Sequence, residues 1–115
     1  MKKLLIAAVV LVLLCAGCKP RKTPSIIELG FHSCGHCTEM KAILDQVESE
    51  YKGRVKVVFY DISTPKGKEL ELLYDAKSVP TVIFFDEYGN VYFKSTGSLL
   101  KEQVEAILKS HGIKQ

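Results

Sequence analysis

The chain has 115 residues, of which 47% are hydrophobic and 25% are charged, a balance typical of one small globular domain. The formal net charge is only +3, and the sequence has no basic stripe interleaved with aromatic residues. We therefore do not expect the protein to bind nucleic acid.

The first eighteen residues have the composition of a targeting segment. Lys2 and Lys3 precede an unbroken apolar run, Leu4 to Leu14, which is too short to span a bilayer as a helix. Small residues follow in LCAGC, so the pattern predicts a secretory signal peptide over residues 1–17. The segment also resembles a bacterial lipoprotein signal, in which cleavage precedes a cysteine that receives lipid, here Cys18. Plain secretion and an uncleaved anchor are the alternatives.

Cleavage at this point would leave a nearly neutral domain outside the cytoplasm. Without Lys2 and Lys3, fourteen basic residues face thirteen acidic ones, so the net charge falls to about +1. We expect a membrane-anchored lipoprotein of the periplasm or outer cell surface, where disulfides form and persist. Residues 18–24 are then the lipid-bearing cysteine and a polar tether, and residues 25–115 are the folded domain.

Hydrophobic periodicity predicts alternating strands and helices in this domain. The predicted strands are Ser25 to Phe31, Val55 to Ile62, Thr81 to Asp86 and Val91 to Ser95, and the predicted helices are Cys34 to Tyr51, Lys66 to Ala76 and Leu99 to His111. A turn over Glu87 to Asn90, with Gly89 and Asn90 at its tip, joins the last two strands. The order βαβαββα predicts an α/β fold with a four-stranded mixed sheet and helices on both faces.

The stretch FHSCGHCTEM raises the question of what Cys34 and Cys37 do. A structural disulfide would close a very small loop and stabilise the domain by only about 2 kcal/mol. A zinc site usually needs a second cysteine pair, although His32, His36 and the two cysteines could gather around a soft metal such as copper. A reactive dithiol explains more, because the predicted helix N-terminus favours a thiolate at Cys34. His36 can add positive charge, and Gly35 leaves the first turn unobstructed.

The pattern resembles the thioredoxin superfamily over nearly all of residues 25–111. The motifs that carry the resemblance are IIELGFHSCGHC, SVPT about forty residues later, and GNVYF followed by a glycine, and CGHC itself is similar to the sites of protein disulfide isomerase domains. The resemblance implies a trimmed thioredoxin fold that lacks the N-terminal strand and helix of full thioredoxins.

The resemblance also implies roles for individual residues. Cys34 matches the attacking cysteine and Cys37 the resolving one, which together form a redox-active disulfide with no other cofactor and no metal. Glu28 matches the family's buried carboxylate. The matches in the substrate-binding region are the cis-proline Pro80, its neighbours Val79 and Thr81, and Gly97. Two positions depart from the family pattern: Ser33 replaces a tryptophan, and Phe59 stands where relatives often have lysine.

These matches predict a thiol–disulfide oxidoreductase that acts on protein disulfides as a monomer. We expect a reductase or electron carrier, with a membrane thiol reductase of the CcdA type as a possible electron donor. CGHC by itself favours the oxidising or isomerising alternative, because isomerases have potentials near about −180 mV and thioredoxin near about −270 mV. An accessory protein that delivers copper or heme through the cysteines is a further alternative.

Overall fold

The computed structural model describes residues 2–3, 17 and 19–115. Most of the predicted signal peptide, together with Cys18, lies outside the described residues. The elements in chain order are β1 (Ser25–Gly30), α1 (Gly35–Glu50), β2 (Lys56–Asp61), α2 (Pro65–Leu73), β3 (Thr81–Phe85), β4 (Val91–Thr96) and α3 (Lys101–Ser110). The predicted order βαβαββα is confirmed, and most boundaries differ from the prediction by one or two residues.

The four strands form one mixed sheet in the order β2-β1-β3-β4. β1 pairs with β2 in parallel and with β3 antiparallel, and β4 completes the sheet antiparallel to β3. Because β1 and β2 are parallel, Gly30 and Asp61 lie side by side where both strands end. The loops that follow these two strands therefore meet at one edge of the sheet.

Two hydrophobic cores cover the two faces of the sheet. On one face, α1 and α3 bury a large cluster against alternate strand residues, including Ile26, Met40, Leu44, Val82, Phe84, Val104 and Leu108. On the other face, α2 contributes Leu70 to a smaller cluster that includes Ile27, Leu29 and Ile83. The alternation of the strand side chains distributes consecutive residues to opposite faces, so helices on both faces are confirmed.

The second helix is shorter than its sequence predicts. Thr64 caps its N-terminus by accepting a hydrogen bond from the Gly67 N–H at 3.1 Å. The helix was expected to reach Ala76, but it ends at Leu73, and Asp75 adopts a left-handed backbone with φ of 52°. The chain must leave the helix there to return to β3, and a left-handed residue makes that turn.

The turn between β3 and β4 also differs from the prediction. The Gly89 N–H donates to the Asp86 carbonyl at 3.1 Å, so Glu87 and Tyr88 form the tip instead of Gly89 and Asn90. The Asp86 carboxylate accepts the N–H groups of Tyr88 at 2.8 Å and Asn90 at 2.9 Å. Gly89 follows the tip with φ of 82°, a conformation that favours glycine. The hydrogen bonds of the Asp86 side chain thus set the position of the turn, and hydrophobic periodicity carries no information about such bonds.

Candidate active site

Cys34 and Cys37 lie where β1 gives way to α1. Cys34 is the N-cap of α1, with extended backbone angles, and its Sγ accepts a hydrogen bond from the Cys37 N–H at 3.2 Å. The two cysteines form a disulfide, with 5.2 Å between their Cα atoms. Cys34 is partly exposed, whereas Cys37 is fully buried. Only one sulfur of the pair can therefore meet another protein, and it is the sulfur at the positive end of the helix dipole.

Glu28 is a carboxyl group buried beneath this surface. Its side chain is fully inaccessible, and neither carboxyl oxygen has a hydrogen-bond partner among the described residues. Burial raises the pKa of Glu28 from 4.5 to about 8, although the charge of Lys41 opposes the increase. Glu28 is therefore mostly protonated at neutral pH and can exchange a proton near pH 8. It faces the same side of the sheet as Gly30, two residues later in β1.

Gly30 brings the strand into close contact with Cys37. A Cβ atom at this position would lie 2.7 Å from the Cys37 Sγ and 3.0 Å from its Cβ. The Cys37 sulfur therefore packs directly against the main chain at the end of β1. Gly30 is not among the site residues predicted from the sequence, where the one signal for it is a glycine that ends an apolar strand just before the cysteine motif.

The loop before Cys34 is held by Asp61, a second residue that sequence analysis missed. The Asp61 carboxylate accepts the His32 N–H at 3.4 Å, and the His32 Nε2 lies 3.7 Å from the same oxygen. The other oxygen accepts the Ser63 N–H and hydroxyl at 2.8 and 2.6 Å, and these bonds hold the pKa of Asp61 below its ordinary value. The His32 ring also contacts Phe59, with 4.9 Å between ring centres.

The two residues between the cysteines lie on the outer side of the first helical turn. The His36 side chain is 80% exposed, and its Nδ1 lies 3.6 Å from a Glu39 carboxyl oxygen. A Cβ at Gly35 would meet no atom within 4 Å, so space alone does not require glycine there. Among the described residues, no group of three or more His, Cys, Asp or Glu side chains is arranged to hold a metal.

A shallow groove of about 260 Å³ lies beside the cysteines, lined by His36, Val79, Pro80, Gly97 and Ser98. The Val79–Pro80 peptide bond is cis, and Gly97 donates its N–H to the Pro80 carbonyl at 2.8 Å while adopting φ of 91°. Thr81 is buried and donates its hydroxyl to the Ser78 carbonyl at 2.6 Å. The structure thus brings His36 together with three predicted substrate-binding residues, and it adds Ser98, which the sequence did not suggest.

The lipid-related predictions concern other parts of the chain. Cys18 lies outside the described residues. In the part of the chain that the structure describes, no helix combines the length and apolar character that crossing a bilayer requires.

A family model described as the thioredoxin-like domain matches residues 19–112. The thioredoxin of Pseudomonas aeruginosa is 28% identical over 88 residues, which cover 76% of this chain and 79% of that protein. Thioredoxin M3 from the chloroplast of Oryza sativa subsp. japonica is 34% identical over 88 residues, which cover 76% of this chain but only 49% of that protein.

Solved structures show the same relationship. The solution structure of an uncharacterised thioredoxin-like protein from Clostridium perfringens superposes with a TM-score of 0.72 and 33% identity, covering 83% of this chain and 75% of that one. Together with the disulfide between Cys34 and Cys37, these relatives support thiol–disulfide oxidoreductase activity toward protein disulfides. The chain therefore belongs to the thioredoxin-like domain family.

Proposed function

We propose that this chain is a lipid-anchored, extracytoplasmic oxidoreductase that reduces disulfides in protein substrates. The observation that carries the proposed chemistry is the unequal exposure of the two cysteines: Cys34 is partly exposed at a helix N-terminus, and Cys37 is fully buried. The proposed location depends on the signal-like residues 1–17 and on acylation of Cys18.

In the proposed reaction, the reduced Cys34 thiolate attacks one sulfur of a substrate disulfide. The other substrate sulfur leaves as a thiolate, and a mixed disulfide joins Cys34 to the substrate. Cys37 then loses its proton and attacks the Cys34 sulfur, which releases the second substrate thiolate and forms the intramolecular disulfide. The substrate gains two electrons, and the chain must receive two electrons from a membrane thiol reductase of the CcdA type before the next cycle.

The surrounding groups support individual steps of this cycle. The Cys37 N–H already points at the Cys34 Sγ and would stabilise a thiolate there. Glu28 has a pKa of about 8 and is suited to exchange the proton that Cys37 must lose. The groove beside Pro80 and Gly97 offers an extended substrate segment a place next to the exposed sulfur.

The direction of electron flow distinguishes this proposal from its main alternative. The relatives reported above are thioredoxins, and thioredoxin has a potential of about −270 mV, which favours reduction of substrates. The CGHC motif favours the alternative, an oxidase or isomerase with a potential near about −180 mV. The 90 mV gap corresponds to about 4 kcal/mol, so a measured potential separates the two functions.

We would measure the potential on residues 19–115, because every residue of both cores lies between Ile26 and Ile113. The fragment is equilibrated in thiol–disulfide buffers, and the reduced fraction is trapped by alkylation. A potential near about −270 mV, with reduction of insulin disulfides, supports the proposal. A potential near about −180 mV or higher would instead indicate the oxidising alternative. Cys34→Ser is the control that removes the couple and should abolish both signals.

A further inference from the structure

The end of the domain where β1 begins is remote from the active site. β1 runs from Ser25 to Gly30, and the chain then turns through the loop that leads to Cys34. Six residues of strand extend about 20 Å, so residues 19–24 enter the domain at the opposite end from the cysteines. These residues are attached to the sheet, because Lys22 donates its N–H to the Glu87 carbonyl at 2.7 Å and Lys56 donates its N–H to the Pro24 carbonyl at 2.9 Å.

Basic side chains without carboxylate partners gather at this entry point. Five lysines of residues 19–115 have a carboxylate within 4.0 Å, namely Lys41, Lys66, Lys68, Lys77 and Lys101. Seven of the lysines and arginines outside those ion pairs belong to the chain segments that meet at the entry point, residues 19–24, 52–56 and 112–114, and we call this set the basic pole: Lys19, Arg21, Lys22, Lys52, Arg54, Lys56 and Lys114. Four of them, Arg21, Lys22, Arg54 and Lys114, line one open groove of about 520 Å³.

Acidic groups offset this charge only in part. Arg54 is engaged by the end of the chain, because its Nη1 donates to main-chain oxygens of Lys114 at 2.8 Å and Gln115 at 3.0 Å. The β3–β4 turn contributes Asp86 and Glu87, and the last turns of α1 contribute Glu48 and Glu50. Glu48 keeps its charge while it accepts the Val57 N–H, Glu50 pairs with Lys101, and Glu102 lines a groove together with Lys114. The six other cations of the basic pole outnumber the four neighbouring carboxylates that have no lysine partner among the described residues, namely Glu48, Asp86, Glu87 and Glu102, so a net positive charge remains on this surface.

An exposed aromatic side chain lies within the same surface. Tyr88 is at the tip of the β3–β4 turn, is 43% exposed, and lies beside Arg21. Tyrosine next to basic residues suits the boundary between lipid headgroups and acyl chains. The two features together match an anionic bilayer surface better than they match a small soluble anion.

We propose that the basic pole binds anionic phospholipid headgroups and holds the domain with Cys34 facing away from the bilayer. This inference rests on the membrane-anchored setting of the proposed function. The contact would be weak by itself, since each basic residue near an anionic surface strengthens binding roughly fivefold. Its consequence is orientation: the exposed sulfur would point toward substrate proteins, and the tether would emerge on the membrane side.

The first test measures sedimentation of residues 19–115 with vesicles of neutral phosphatidylcholine or of phosphatidylcholine with an equal part of phosphatidylglycerol. We expect binding to the anionic vesicles only, weakened by added salt. The combined variant Lys22→Gln, Lys56→Gln and Lys114→Gln should weaken binding about 100-fold. A control with the same net charge, Lys68→Gln, Lys77→Gln and Lys94→Gln, should change it much less. Equal losses in the two variants, or equal binding to both vesicles, would overturn the proposal.

The second test uses the absence of tryptophan from the chain, so that a single introduced tryptophan reports position. Tyr88→Trp places the reporter at the basic pole, and Phe31→Trp places it near the cysteines. Brominated anionic vesicles should quench the fluorescence of the first variant and leave the second unchanged. Equal quenching of both would show that the domain has no preferred orientation and would refute the inference, even if the combined variant of the first test failed to fold.

These outcomes are independent of those for the proposed function. The fragment lacks Cys18, so vesicle binding does not depend on acylation, and neither assay involves disulfide exchange. If the potential disagrees with a reductase while anionic vesicles still bind, only the proposed redox direction fails. If the vesicles do not bind while the couple still reduces insulin, only the membrane contact fails.

Discussion

The buried carboxyl of Glu28 allows a quantitative prediction about stability and pH. Its pKa rises from 4.5 to about 8 on folding because the side chain is fully buried without a hydrogen-bond partner among the described residues. Below pH 4.5 the group is protonated in both the folded and the unfolded chain, and it does not alter stability. Between pH 4.5 and 8 the unfolded chain ionises while the folded chain keeps its proton, so the free energy of unfolding falls as the pH rises.

The size of the effect follows from the pKa values. One pKa unit corresponds to about 1.4 kcal/mol, so the wild type loses about 3 kcal/mol by pH 7 and about 5 kcal/mol above pH 8 relative to pH 4. Glu28→Gln keeps the volume and the neutral polar character but cannot ionise. We therefore expect the variant to match the wild type at pH 4 and to exceed its free energy of unfolding by about 3 kcal/mol at pH 7.

Urea unfolding of the oxidised protein at pH 4 to 9 measures this difference. Other titrating groups affect both proteins alike, so the difference between them isolates Glu28. Glu69→Gln is the matched control, since its side chain is 65% exposed and should give a difference close to zero at every pH. A flat difference between Glu28→Gln and wild type across this range would refute the claim that Glu28 is held neutral by burial.

Three further predictions concern packing and the loop before the cysteines. Gly30→Ala places a Cβ against the Cys37 sulfur and should lower the free energy of unfolding in urea by about 1–3 kcal/mol. Gly35→Ala, whose Cβ meets open space, should lower it less, and equal effects of the two variants would contradict the close contact at Gly30. Asp61→Asn should destabilise the chain at neutral pH but not at acid pH, because the lowered pKa of Asp61 provides stability that disappears as the carboxylate is protonated. A loss of stability that does not depend on pH would contradict this role of the Asp61 charge. Phe84→Ala should cost about 3–5 kcal/mol, since the ring is fully buried and packs edge-on against a neighbouring aromatic ring, and a loss under 1 kcal/mol in urea unfolding would contradict that packing.

The order of the helices and strands and the position of the cysteine pair can both be predicted from local sequence patterns. Apolar periodicity is a local property, and the switch from strand period to helix period at Phe31 to Cys34 predicts the junction that the structure contains. The same local pattern placed Glu28 within an apolar strand. The motifs around Pro80 and Gly97 lie far from Cys34 in sequence, so their proximity was expected only from the family resemblance.

Contacts between side chains that are distant in the sequence could not be predicted in this way. The contact between Gly30 and Cys37, the hydrogen bonds of Asp61 to the His32 loop, and the end of α2 at Leu73 all depend on how the elements pack. The basic pole is the clearest example. Its members come from residues 19–22, the end of α1, the start of β2 and the C-terminus, and they look like scattered surface lysines and arginines in the sequence. Their charges become one surface because the sheet brings those chain segments to the end of the domain opposite Cys34, and charge interactions depend on distance in space.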